Sequence, residues 1–333
     1  MKSQKPNDLK QHNVQAIRKL LSQQPNGLTK SEIAQSISLS VVTTNKLISE
    51  MLETEEVITL QKPVTTGGRK ALAYKLNPNY RYLLTIQFLE QAKQPIALFT
   101  LSTIEQEAIF QQTLPMLQDD GQEIVATVRN ILQRYPKTAV ISIGIPGVEI
   151  EGIFQIIDFP SISKADLRNA LSRETNLPIL IENDINAATF GFSKLNGTHD
   201  IVAGLYFLEN YAPGSGLVIK DTIFRGANGL SGELKHLSYF EKLTFPITKE
   251  AQIIQLAEQS LRTIISLYDP QQIVIFDTEH LLSADHLDQL RRQLEKVFPY
   301  GYLPHLILHN DLSTYYLKGL NELAVKVIQE SPV

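Results

Sequence analysis

The sequence predicts an α/β protein in two parts, a small head of three helices and a hairpin followed by a larger body of alternating strands and helices. Three observations carry this. Apolar residues recur at helical spacing from Val14 to Leu52, strand-like and helical stretches alternate from Asn77 onward, and the charge changes sign between the parts. Residues 1–80 hold eleven Lys and Arg against six Asp and Glu, while the remainder holds twenty against twenty-nine. A basic head on an acidic body is what phosphate contact through the head alone requires.

Composition narrows the classes. At 333 residues, 43% hydrophobic and 20% charged, the chain is an ordinary soluble globular protein and not a disordered one. No apolar run approaches the roughly 18 residues that cross a bilayer, and Met1-Lys2-Ser3-Gln4-Lys5 leads into polar sequence, so a cytoplasmic protein without a membrane partner is expected. The absence of cysteine excludes disulfides, thiolate catalysis and sulfur-ligated zinc.

In the head, Val14, Ile17, Leu20 and Leu21 mark a first helix that Pro25-Asn26-Gly27 ends. Thr29-Lys30-Ser31-Glu32 has the capping-box form, with a hydroxyl three residues before a carboxylate, and opens a short helix through Ile33 and Ala34. Ser40 caps a third, with Thr44, Leu47, Ile48, Met51 and Leu52 inward and Val41, Val42, Thr43, Asn45, Lys46 and Ser49 outward. Short helix, tight turn and longer helix form the helix-turn-helix plan, whose second helix enters the major groove of double-stranded DNA. Lys46 is the one cation on the outward face. Apolar and hydroxyl groups suit thymine methyls and Asn45 suits adenine, which points to an A·T-rich site. Val57-Ile58-Thr59-Leu60 and Leu72-Ala73-Tyr74-Lys75-Leu76 then read as the strands of a wing. Arg69 and Lys70, after Gly67-Gly68, stand at its tip for phosphate or a narrow minor groove. The candidate DNA contacts are therefore Ser40, Val41, Val42, Thr43, Asn45, Lys46, Arg69 and Lys70.

In the body, strands are expected at 82–88, 96–101, 139–145, 179–181 and 201–208, and helices at 121–135, 163–175 and 251–268. Gly144-Ile145-Pro146-Gly147 follows a buried strand. Glu182-Asn183-Asp184-Ile185-Asn186-Ala187-Ala188 joins another to a helix, where open α/β sheets bind ligands. Arg225-Gly226-Ala227-Asn228-Gly229-Leu230-Ser231-Gly232-Glu233-Leu234-Lys235-His236 surrounds a carboxylate and an imidazole with glycines. Asn183, Asp184, Glu233 and His236 together supply the short donors and acceptors that polyol hydroxyls need.

These segments, in this order behind such a head, resemble the ROK family of repressors, open reading frames and sugar kinases, over nearly the whole chain. The resemblance implies a two-lobed actin-like, sugar-kinase (ribonuclease H-like) fold behind a winged helix-turn-helix. Its implied domains are a head over 1–76, a first lobe over 77–190 rejoined by a C-terminal helix at 313–330, and a second lobe over 191–312. It places the sugar in the interlobe cleft against Asn183, Asp184, Glu233 and His236, with Gly147 approaching through backbone. Asp158, before Phe159-Pro160, stands where the family usually has Asn.

Departures from the family pattern are equally specific. The kinases' Asp-x-Gly-Gly-Thr strand end is here Gln87-Phe88-Leu89-Glu90-Gln91. Their Gly-Thr-Gly aligns with Asn210-Tyr211-Ala212, and a late Gly-Gly with Phe276-Asp277. Phosphoryl transfer is mainly positioning and stabilisation of phosphate charge, so neither ATP use nor kinase activity is expected. Asp184, matching the kinase base, becomes a hydroxyl acceptor. The family's zinc needs cysteines after the histidine matched by His236, so no metal is expected. The expected protein is a transcriptional repressor of carbohydrate genes, a dimer or tetramer on operator DNA, controlled by a sugar or sugar phosphate. The alternatives are an ATP-dependent sugar kinase with an accessory head, and a DNA-binding protein whose body only dimerises or docks a partner.

Overall fold

The computed structural model describes residues 6–62, 71–91, 94–116, 121–150, 153–155, 166–197 and 200–330. In the head, α1 (Pro6–Ser22) buries Val14, Ile17 and Leu21. The Thr29 hydroxyl accepts the Glu32 N–H (3.2 Å) while the Glu32 carboxylate accepts the Thr29 N–H (2.7 Å), starting α2 (Lys30–Ser36). The Ser40 hydroxyl accepts the Thr43 N–H (3.0 Å) and starts α3 (Val41–Glu53). Thr44, Leu47, Ile48 and Met51 are buried, as their spacing predicts. β1 (Val57–Lys62) and β2 (Ala71–Leu76) pair antiparallel from Val57 opposite Leu76 to Lys62 opposite Ala71. Arg69 and Lys70 lie outside the described residues. A buried ion pair between Arg18 and Glu56 ties α1 to the start of β1.

The body is one plan used twice. β3 (Tyr82–Gln91), β4 (Gln94–Thr103) and β5 (Ala108–Pro115) form an antiparallel meander, and α4 (Gly121–Arg134) crosses to β6 (Thr138–Ile145). After a small hairpin of β7 (Val148–Ile150) and β8 (Ile153–Gln155), α5 (Leu167–Glu174) leads to β9 (Ile179–Asn183) and α6 (Asp184–Asn196). The sequence of events then repeats. β10 (Ile201–Tyr206), β11 (Gly214–Ile219) and β12 (Thr222–Ile223) form a meander, α7 (Glu250–Tyr268) crosses to β13 (Gln272–Phe276), and α8 (Ala284–Val297) leads to β14 (His305–His309) and α9 (Ser313–Glu330). Strand orders β5-β4-β3-β6-β9 and β12-β11-β10-β13-β14 are equivalent, with the last three strands of each order parallel.

Outer faces are covered by α4 and α5 on the first sheet, where Leu84, Ile86 and Phe88 meet Ile124, Val128 and Leu171, and by α7 and α8 on the second. Both inner faces are closed by α6 and α9, which lie between the sheets. Ile185 and Ala188 of α6 pack with Val202 and Val218, while Ala324 of α9 packs with Leu83 and Val140. Polar inner positions of the first sheet are satisfied by α9, since Thr85 donates to Asn321 (2.7 Å) and Ser142 to the Leu320 carbonyl (3.3 Å). The helix α9, over 313–330, thus packs on the first sheet. The boundary expected at 190 falls inside α6, whose side chains cover the second sheet. Periodicity shows that α6 is apolar, but not which sheet it will cover. No helix among the described residues is long and apolar enough to cross a membrane.

His309 ends β14 among the rings of Phe192 and Tyr315, with the Tyr315 hydroxyl 3.2 Å from its Nε2. Burial pushes its imidazole below the ordinary value. The unfolded chain therefore takes up the proton first, and this contribution to stability is lost as pH falls below about 6.5. Melting temperature is expected to fall between pH 7 and pH 5, and His309→Gln to flatten part of that slope. An unchanged slope in the variant assigns the pH dependence elsewhere.

Candidate functional site

Parallel strands of both sheets end at one place. The end of β3 and the segments after β6, β9, β10, β13 and β14 line a cavity of about 730 Å³ between the lobes. Gly147, Asn183, Asp184 and Glu233, four of the residues expected to hold a sugar, line it together. Asn183 caps α6 by accepting the Asn186 N–H (3.1 Å), and its amide donates to the Gly147 carbonyl (3.1 Å), joining two of the motifs. Asp184 is buried, with one oxygen accepting the Ile185 N–H (2.7 Å). Glu233 reaches the cavity because Gly232, at φ +92°, turns the chain tightly against Ser215, where a Cβ would stand 1.8 Å from the Ser215 carbonyl oxygen.

One expectation does not land in the cavity. His236 is exposed and does not line it. Lys235, one residue earlier, does, with its Nζ 3.5 Å from Glu233. Residues 234–236 form a single tight turn that buries Leu234, and a turn of that size changes face at every residue. Asp158 lies outside the described residues.

Sequence reasoning did not nominate Glu182 and Arg225 as site residues, although both stand in the quoted motifs. Glu182, buried at the end of β9, accepts from the Asn183 N–H (3.1 Å), the Asn186 amide (3.2 Å) and Arg225 Nε (2.9 Å). One carboxylate therefore braces the hydroxyl-facing residues and anchors the glycine-rich loop. The signal was a charge of each sign in the two motifs, with nothing in the sequence to pair them.

On the far side of Asp184 the cavity is acidic, with Glu90, Glu209, Glu279 and Asp311 in its walls and Lys235 the only Lys or Arg among its described lining residues. Glu279 accepts the Glu209 N–H (2.5 Å), so a protein carboxylate already holds a backbone donor of the β10 loop. Buried Gln87 donates to the Ser313 carbonyl (3.0 Å), and buried Asp277 accepts the N–H groups of Leu281 (3.0 Å) and Leu282 (2.7 Å). Burial pushes the Tyr206 phenol well above its ordinary value, and the charges of Asp184, Glu279 and Glu90 add to the rise. A triphosphate needs positive charge, and of that this lining offers only Lys235 among its described residues, although Gly214, Gly229 and Gly232 also line it. Among the described residues no group of three or more His, Asp and Glu is placed to hold a metal ion.

On the head, Ser40, Val41, Val42, Asn45 and Lys46 are exposed and Thr43 is half-buried, its hydroxyl 2.8 Å from that of Ser40. Val41 and Val42 are 52% and 78% exposed.

Residues 96–244 match the ROK family. The xylose repressor of Caldicellulosiruptor bescii is 24% identical over 221 residues, which are 63% of this chain and 54% of the repressor. The DNA-binding transcriptional dual regulator NagC of Escherichia coli is 20% identical over 239 residues, 69% of this chain and 58% of that protein. The chain thus spans little more than half the length of these curated relatives. Among solved structures, a ROK family transcriptional regulator, a homolog of the E. coli MLC protein, superimposes with a TM-score of 0.70 at 15% identity over 96% of this chain and 98% of that one. The ROK hexokinase of Thermus thermophilus gives 0.58 at 15% identity over 74% and 99%.

Proposed function

We propose, from the match of residues 96–244 to the ROK family, that the protein is a DNA-binding transcriptional repressor of carbohydrate genes whose operator affinity is set by a sugar in the interlobe cleft. The cleft carries the reading: Gly147, Asn183, Asp184 and Glu233 line it together with further carboxylates and, among its described residues, a single lysine. Such a site selects hydroxyls and rejects a nucleotide. The relatives named as a xylose repressor and as NagC support a regulator, and the three helices and hairpin of the head support a winged helix-turn-helix. In a dimer two such heads meet half-sites about one helical turn, or a multiple of it, apart. Sugar acts by binding one arrangement of lobes and heads better than another.

The primary test titrates a complex of the protein with operator DNA, selected from random duplexes, with D-xylose, D-glucose and N-acetyl-D-glucosamine. At least one should change DNA affinity; no change with these or with their phosphates sinks the sensory half of the proposal. A bound sugar at a hundredfold excess over its Kd is expected to stabilise the chain by about 2.7 kcal/mol in a melt, and Asp184→Ala to remove most of that gain. ATP-dependent phosphorylation of any of these sugars would reinstate a kinase.

The proposed wing makes a separate prediction. Changing Arg69 and Lys70 to Ala should weaken binding to every duplex and lower the salt dependence of log Kd by about 2. A salt slope equal to that of the wild type removes both from the interface.

A further inference from the structure

Arg225 stands at a junction. Its guanidinium holds Glu182, and its chain lines a second cavity of about 1120 Å³ that separates the body from the head, walled by α1 on one side and by α9 and the β11–β12 hairpin on the other. Direct ties join its two sides. The Gln15 amide donates to the Glu330 carbonyl (2.8 Å), and Lys75 pairs with Glu105 (3.3 Å) at the exit from β2. Changes on the body's side of the groove can therefore reach the head through these ties.

We propose that Arg225 is the positioning residue that transmits sugar occupancy of the cleft to the head, an inference that rests on the regulator reading above. Two independent links lead to it. Through the first, Glu182 divides its carboxylate, one oxygen to Asn183 and Asn186 on the cleft side and the other to Arg225 on the groove side. A hydroxyl that draws Asn183 or Asp184 moves the shared carboxylate. Through the second, the loop from Arg225 to Glu233 has its glycines 226, 229 and 232 at φ +71°, +76° and +92°, so one end carries the Glu233 carboxylate into the cleft while the other is held by Arg225. The Arg225 carbonyl also accepts the Ser231 N–H (3.3 Å), which closes the loop on itself. The Arg225 side chain is 47% exposed against 5% for Glu182, so the pair has a fixed end in the body and an open end in the groove.

The test is a thermodynamic cycle with the full-length chain, measuring operator Kd with and without saturating sugar, using whichever of D-xylose, D-glucose and N-acetyl-D-glucosamine binds the wild type by calorimetry. The wild-type ratio of the two Kd values is expected at about 5- to 150-fold. In Arg225→Gln, saturated at its own sugar Kd, the ratio should fall below about 2-fold, with sugar-free operator Kd within about threefold of the wild type. Arg225→Lys, which keeps a charge for Glu182, should recover part of the ratio, an outcome that a merely structural role does not produce. A wild-type ratio retained in Arg225→Gln overturns the proposal, as does a ratio lost in both variants together with sugar binding. If the wild type binds sugar with no change in operator Kd, or binds none, the regulator reading fails and takes this inference with it.

Discussion

Arg18→Met is expected to destabilise the head by about 3–5 kcal/mol, because it leaves the Glu56 carboxylate buried without its cation. Arg18 and Glu56 are 3% and 4% exposed, and the guanidinium meets both carboxylate oxygens. The backbone of Glu56 is fixed at both ends, its N–H donating to the Met51 carbonyl (2.8 Å) and its carbonyl accepting the Asn77 N–H (2.9 Å), so the carboxylate has little freedom to turn toward water. The head has its own core of Val14, Ile17, Leu21, Ile33, Leu47, Ile48 and Met51. Calorimetry of the variant should accordingly show an early transition for the head, with the body melting near its wild-type temperature. Combining Arg18→Met with Glu56→Leu should recover most of the loss, since an apolar pair of similar volume often replaces a buried ion pair at little net cost. A loss below about 1 kcal/mol in the single variant means that water reaches the pair.

Gly319→Ala should cost about 3 kcal/mol by forcing apart α6 and α9. A Cβ on Gly319 would lie 1.8 Å from the Ala187 carbonyl oxygen, and one on Gly191 equally close, at 1.9 Å, to the Tyr315 carbonyl oxygen. Both obstacles are helix backbone, which cannot step aside as a side chain can. The consequence reaches the cleft, because α6 begins at Asp184 and Asn183 caps it, so the variant should lose sugar affinity together with stability. Gly301→Ala is the control. Gly301 has φ +79° with nothing within 4 Å of a Cβ, so only the left-handed backbone penalty of about 1–2 kcal/mol applies. Equal losses in the two variants would show that the helices separate freely.

Local features of the chain were legible in advance. Both helix caps in the head, the inward face of α3 and the strand-to-helix joint at Asn183 and Asp184 depend on residues within one turn of each other, and the structure has them where the spacing puts them. The motif residues Gly147, Asn183, Asp184 and Glu233 meet in one cavity for a related reason. Loops after parallel strands converge once strand order is set, whatever the side chains between them. His236 failed the same reasoning because a three-residue turn offers no periodicity, and one position decides whether a side chain faces the cleft or solvent.

By itself, then, the sequence determined the α/β class, many of the helices and strands, and the opposite charge of head and body. Tertiary structure alone decided the pairings of Arg18 with Glu56 and of Glu182 with Arg225, 38 and 43 residues apart, and the placement of α6 on the second sheet. The physical reason is range. Caps and amphipathic faces are set by energies between near neighbours along the chain, whereas a buried charge finds its partner only after the sheets and helices have closed around both.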